Sequence, residues 1–324
     1  MANRPLTLDD YIGQRRVKTQ LQVTIAACKK NQKALPHMLL YGNPGLGKTT
    51  LAEIIANMFG TSFYPVMGGN LQTVNDARNL LAGLNDAGGD IIFIDEIHNM
   101  PLKVEEFLYS AMEDFTVEIE GIRHWVPDFT LIGATTLPAD ISRPLRDRFG
   151  VHYQLQNYQL DEVGKILEKL AERESVEVTS DAIGEIAKRA KGVARIAINL
   201  FHRVREYADV FNDGVVDENS ANEQFDLMGI DELGLDENDH RVLHYLSTQS
   251  RAVGIAALAT GCDIDANTIT TMVEPYLVQV GLVERTNRGR QITGKGAQWI
   301  GAAVPQMIET TRQSNNRRGM ERLT

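Results

Sequence analysis

The chain has 324 residues, 43% of them hydrophobic and 23% charged, with a formal net charge of −10. That length and mix exceed a single typical domain and predict two or three folded units with real cores. The longest apolar runs, near residues 38–41 and 91–94, are far too short for a bilayer span, and residues 1–11 are polar without a signal-peptide core, so a cytoplasmic protein with no membrane partner is expected.

Cys28 and Cys262 are the only cysteines and lack the paired spacing of a metal site, which predicts reduced thiols rather than a disulfide or zinc. The acidic balance repels nucleic acid, so any contact with a phosphate backbone must come from a local basic patch. Residues 285–295 supply one, with Arg285, Arg288, Arg290 and Lys295 and no acid, and the tail adds Arg312, Arg317, Arg318 and Arg322.

In chain order, Val17, Leu21, Ile25 and Cys28 recur at spacings of three and four, which predicts an amphipathic helix over 14–34. A short buried strand is expected at 37–41, then a glycine loop and a helix from about Lys48. Residues 90–94 and 129–134 read as two further buried strands. Strands alternating with helices imply a parallel sheet covered on both faces. After Tyr158 the pattern turns helical, at 161–172, 180–191 and 195–210, and residues 229–236 read as an acidic, glycine-bearing linker. Helical patterns follow at 239–248, 255–260 and 267–279. A candidate hairpin over 281–293 turns at 287–289, and three helices followed by a hairpin suggest a winged helix.

The glycine loop, Gly42-Asn43-Pro44-Gly45-Leu46-Gly47-Lys48-Thr49, matches the P-loop pattern in its required strand-to-helix setting. Gly45 and Gly47 let backbone amides turn toward a phosphate, and the following helix adds its positive N-terminal end. Lys48 is suited to the β and γ phosphates of ATP, and the Thr49 hydroxyl to Mg²⁺. Asp90 to Glu96 is an apolar strand ending in two carboxylates. Asp95 is suited to hold the metal through water, and Glu96 to polarise an attacking water. An acidic turn after a strand is common by itself; the P-loop upstream gives this one its meaning. His98 reads as a helix-cap or surface histidine rather than a metal ligand.

Several further segments resemble the RuvB family of AAA+ Holliday-junction motors over nearly the whole chain. Arg4-Pro5, Asp10 to Gln14, Phe93 to His98, Ala111 to Phe115, Phe129 to Thr136, Pro144 to Gly150, Glu274 to Leu277 and Arg285 to Arg290 carry the resemblance. It implies an α/β chain comprising an AAA+ P-loop domain with a parallel sheet (1–158), a small helical lid domain (159–230), a C-terminal winged-helix domain (231–303) and a polar tail (304–324). By resemblance Thr136 is the sensor-1 residue, Arg148 an arginine finger acting on a neighbouring subunit's site, and Arg195 the sensor-2 arginine. Arg4, Tyr11, Ile12 and Tyr158 fall where the family holds the adenine, with core packing an alternative for the two tyrosines. Thr50, Glu113, Asp114 and Phe115 complete the expected nucleotide contacts. Arg285, Arg288 and Arg290 would bind DNA phosphates without reading bases, against the alternative of a solvated loop.

The implied function is an ATP-dependent motor, a homo-hexameric ring acting on duplex DNA at four-way junctions, with a RuvA-like junction-binding partner and a RuvC-like resolvase. The segment 116–126 is shorter than the family's RuvA-docking hairpin, yet it offers Ile122 and Trp125 as an exposed apolar pair. Residues 192–195 keep the sensor-2 arginine and lose the family's preceding proline. Residues 262–266 lack a basic residue usual in the family's winged helix. The alternatives are a clamp-loader-like AAA+ switch and a remodeller of protein partners.

Overall fold

A computed structural model describes residues 5–302. The chain separates into two compact units, Met1–Phe225 and Asp226–Thr324. The first unit opens with α1 (Arg15–Asn31), whose buried stripe is Val17, Leu21 and Ile25. Then β1 (Met38–Tyr41), α2 (Lys48–Phe59), β2 (Phe63–Met67), α3 (Val74–Ala82), β3 (Asp90–Asp95) and α4 (Leu102–Asp114) follow. A small antiparallel hairpin, β4 (Thr116–Ile119) and β5 (Ile122–Trp125), precedes β6 (Phe129–Thr135), α5 (Arg143–Asp147) and β7 (Val151–Gln154).

The sheet order is β2-β3-β6-β1-β7, and every pairing is parallel. Buried on both faces, β3 and β6 are almost uninterrupted apolar runs, as parallel central strands require. Gly133 in β6 is a packing necessity, since a Cβ there would lie 2.9 Å from both Ile97 and Phe149. Parallel register brings the C-terminal ends of β1, β3 and β6 to one edge of the sheet, where doubly wound folds put their ligands.

Four helices complete this stretch of chain: α6 (Leu160–Glu174), α7 (Ser180–Arg189), α8 (Ala194–Phe211) and α9 (Glu218–Met228). The first three occupy the predicted places, and α9 lies inside a segment for which no helix was predicted. Its stripe is short, with only Ala221 and Phe225 as buried apolar residues.

The second unit contains α10 (Glu237–Ser247), α11 (Ile255–Cys262), α12 (Ala266–Thr268), α13 (Glu274–Gln279), β8 (Val283–Thr286), β9 (Gly289–Ile292) and α14 (Gly294–Trp299). A π turn, Ile269–Val273, joins α12 to α13, so the single helix expected over 267–279 is widened at its centre. Leu243, Leu246, Leu258, Ile269, Leu277 and Leu282 form the middle of its core. Helices followed by the β8–β9 hairpin are the expected winged-helix arrangement. Cys28 and Cys262 are free thiols. Among the described residues no helix is long and apolar enough to cross a membrane.

Candidate functional site

The loop between β1 and α2 is shaped by glycine. Gly45 and Gly47 have φ of +79° and +90°, a region that side chains resist. A Cβ at Gly47 would stand 2.8 Å from the Tyr11 hydroxyl, and one at Gly45 would stand 2.8 Å from both Val193 and Arg195. The glycines therefore serve two ends, turning amides toward a phosphate and letting α8 close onto the loop. Lys48 is the first residue of α2, and its Nζ donates to the carbonyls of Gly42 at 2.8 Å and Asn43 at 3.2 Å. Burial draws the lysine pKa down, while the nearby Glu96 and Asp95 carboxylates push it back up. A cation kept among those carboxylates is suited to phosphate.

Beside it, Thr49 donates from its hydroxyl to Asp95 Oδ2 at 3.1 Å. One hydroxyl and one carboxylate meeting at the C-terminal end of β3 are the oxygen donors that Mg²⁺ takes in such sites, so these residues fit the ion. Glu96 follows in the left-handed region, at φ 47°. That turn aims its carboxylate across to β6, where Oε2 accepts from the Thr136 amide at 3.1 Å and the Thr136 hydroxyl at 3.0 Å. The candidate water-polarising residue and the candidate sensor are thus in direct contact. His98 belongs to the same cluster, with Nδ1 2.9 Å from Thr135 Oγ1 and 3.3 Å from Glu96 Oε2. Of the two readings offered, helix cap or surface, it sits in the short helical turn Ile97–Asn99, which folds it inward rather than onto the surface.

The opposite wall comes from the N-terminal segment and the lid helices. Tyr11 and Tyr158 are both buried, and both hydroxyls donate to the Leu46 carbonyl, at 3.0 and 2.9 Å. Burial raises the pKa of each, so both stay neutral donors at physiological pH. They brace the phosphate loop from behind while also facing the cleft. The Arg195 amide donates to the Gly45 carbonyl at 3.3 Å, which docks the first turn of α8 on the loop. Together these elements enclose a cleft of about 350 Å³ that Ile12, Thr50, Asp95, Glu96, Tyr158 and Arg195 help to line. That is within the range of small-ligand sites. Arg4, expected beside the adenine, lies outside the described residues, as does the tail.

Glu113, Asp114, Phe115 and Arg148 are not among the residues lining this cleft. They gather elsewhere, around the end of α4. Arg148 pairs with Glu113 at 3.2 Å and stacks 4.1 Å above the Tyr109 ring. Asp114 pairs with Arg123 at 3.0 Å, and Phe115 packs edge-on against Phe129. Resemblance gave Glu113, Asp114 and Phe115 as nucleotide contacts and Arg148 as a finger, and did not show that Arg148 and Glu113 are paired.

In the second unit the wing cations divide into two kinds. Arg285 and Arg288 are exposed. Arg290 is only 7% exposed and donates from Nε and Nη2 to Glu274 Oε2, at 3.0 and 2.8 Å. Its pairing with the buried Glu274 of α13 corrects the reading of Arg290 as a DNA-facing cation. The sequence offered no sign of this, because a hairpin arginine and its helical partner sixteen positions earlier carry no joint pattern. The start of β9 packs closely on the segment before α11, since a Cβ at Gly289 would stand 2.3 Å from the Val253 carbonyl oxygen.

Comparison with known proteins covers all three regions. The family described as the Holliday junction DNA helicase RuvB P-loop domain matches residues 3–155, the RuvB AAA lid domain matches 158–231, and the RuvB C-terminal winged helix domain matches 232–301. The RuvB branch migration complex subunit of Campylobacter hominis is 43% identical over 307 residues, covering 92% of this chain and 90% of that protein. The same subunit from Kosmotoga olearia is 42% identical over 310 residues, covering 93% and 90%. The solved structure of the Thermotoga maritima RuvB Holliday junction branch migration motor superposes with a TM-score of 0.85 at 39% identity, covering 93% of this chain and 99% of that one.

Proposed function

The chain belongs to the RuvB family and is an ATP-dependent motor of Holliday-junction branch migration, and on that premise we propose how its residues divide the work. The contact of Glu96 with Thr136 carries the reading, because it links the group that activates water to a group that senses the phosphate end of the nucleotide. Gly45, Gly47, Lys48, Thr49 and Thr50 grip the phosphates of ATP. Thr49 and Asp95 would hold Mg²⁺, which would supply charge neutralisation along the phosphate chain. Ile12, Tyr11 and Tyr158 wall the base side of the cleft, and Arg4 is assigned there from family resemblance alone. Arg195 couples the lid to the loop through the hydrogen bond to Gly45.

Arg148 acts on a neighbouring copy, with Glu113 and Asp114 exposed near it at the end of α4. This reading is supported by their shared location away from the cleft of their own chain. It requires a ring, for which the family premise suggests a homo-hexamer. A RuvA-like junction-binding protein docks on the β4–β5 hairpin, whose tip turns through Glu120 and Gly121 at φ +53° and +77°. Ile122 and Trp125 are 62% and 82% exposed there, so a shorter hairpin still presents an apolar contact. A RuvC-like resolvase would act on the same junction. The same premise makes this a cytoplasmic protein.

Domain limits at 158 and 230, with a winged-helix unit to 303, fit this division of labour. In that last unit Arg285 and Arg288 meet DNA phosphates. Replacing either with alanine should lower the slope of log affinity for duplex DNA against log salt by about one. Arg290→Ala should instead destabilise the wing by about 3–5 kcal/mol, less what Arg285 recovers from its own 3.4 Å approach to Glu274. Binding titrations at several salt concentrations and denaturant unfolding of the full chain separate the two effects. An unchanged salt slope for Arg285→Ala and Arg288→Ala together would remove the wing from the DNA interface.

A further inference from the structure

One buried titratable group stands outside the nucleotide cleft. Glu105, in the first turn of α4, is 4% exposed. A carboxylate so deep in the protein persists only if its oxygens are hydrogen-bonded. Ser142 donates to its Oε2 at 2.5 Å, and the Tyr109 hydroxyl approaches the same oxygen at 3.4 Å. Tyr109 and Ser142 also meet, at 3.2 Å.

These three side chains connect two elements. Ser142 is the N-cap of α5, accepting from the Leu145 amide at 3.3 Å, and Arg148 is the C-cap of the same short helix. The Tyr109 ring lies beneath the Arg148 guanidinium at 4.1 Å, while Nη1 donates to the Pro144 carbonyl at 2.8 Å. Arg148 Nε is buried with no hydrogen-bond partner, so the aromatic face is what meets that part of the guanidinium. The tyrosine therefore touches the cation directly and, through Glu105 and Ser142, ties down the helix that carries it.

We propose that Tyr109, seated on Glu105 and Ser142, is a positioning residue that serves as the shelf for the Arg148 finger. The inference rests on the reading of Arg148 as a finger acting in trans. A cation held over an aromatic face keeps its charge while losing rotational freedom, and here the exposed Glu113 carboxylate is the contact a phosphate would replace. An arginine on a shelf of this kind is preorganised for a phosphate in the neighbouring copy, because less side-chain freedom remains to be lost on engagement.

The test uses the full chain in mixed rings. Tyr109→Leu should lower kcat for ATP by roughly three- to thirtyfold, the span of a cation–π contact, with KM little changed. Tyr109→Phe keeps the ring and should retain most of the rate. Mixing Tyr109→Leu with Lys48→Ala subunits, which lack a working phosphate grip but carry an intact shelf and finger, should raise the turnover per Tyr109→Leu subunit. A merely structural tyrosine gives no such rescue. Arg148→Ala mixed with Lys48→Ala runs alongside as the reference. The proposal is overturned if Tyr109→Leu turns over like the parent, or if it is slow and not rescued while Arg148→Ala is. If Arg148→Ala is not rescued either, the trans reading fails and the shelf falls with it. Should Tyr109→Leu not fold, Tyr109→Met, which fills the site with an unbranched apolar chain and likewise lacks the ring, carries the same mixing test with the same outcomes.

Discussion

Glu96→Gln is expected to bind ATP as tightly as the parent and to hydrolyse it about 10²–10⁴-fold more slowly. Glutamine keeps the shape of the side chain and an oxygen that can accept from the Thr136 amide and hydroxyl, so the hydrogen bonds at 3.1 and 3.0 Å survive in kind. What disappears is the negative charge that draws a proton from water. Lys48, Thr49 and Asp95, proposed above as the phosphate and metal side of the site, are left unchanged. Equilibrium binding of a fluorescent ATP analogue, set beside steady-state phosphate release, checks both halves. If binding falls as steeply as turnover, Glu96 is a structural member of the site rather than its base.

The second large effect is expected at Arg148. An arginine finger is worth about 10³–10⁵ in rate where it operates, so Arg148→Ala should be nearly inactive as a uniform ring. Its own phosphate loop stays intact, because Arg148 is absent from the lining of that cleft and its side chain is engaged with Tyr109, Glu113 and Pro144. Mixed with Lys48→Ala, each Arg148→Ala subunit that has an intact finger beside it should recover hydrolysis. Phosphate release across a series of mixing ratios should therefore pass through a maximum. A flat, inactive series would mean that Arg148 works within its own subunit or not at all.

How far these sites were legible in the sequence follows from burial. The strands β1, β3 and β6 are central, so they appear as compact apolar runs, and the motifs at their C-terminal ends came with them. By contrast β2 and β7 are the two edges. Phe63 to Met67 is half-exposed and contains Pro65, while Val151 to Gln154 alternates with polar residues, and neither has the apolar run of a buried strand. The phosphate loop was fully readable because its chemistry is contiguous along the chain. Contacts between distant segments were not. Nothing in the sequence joins Glu274 to Arg290, His98 to Thr135, or Tyr109 to Arg148, and each pair takes its meaning from packing alone.

The family resemblance supplied roles that spacing could not, and the structure divides those roles by location. Tyr11 and Tyr158, for which core packing was the competing reading, are buried and brace the Leu46 carbonyl, and both also line the cleft. Glu113 and Asp114 lie instead at the end of α4, paired with Arg148 and Arg123 outside the cleft of their own chain.

The central claim, that this chain converts ATP hydrolysis into movement of a DNA junction, is tested most directly with a synthetic four-way junction, ATP and Mg²⁺. Strand exchange should appear with the parent protein together with a RuvA-like partner, and should be lost when Glu96→Gln replaces the parent. Steady ATP hydrolysis with a stationary junction, with and without that partner, would contradict the claim.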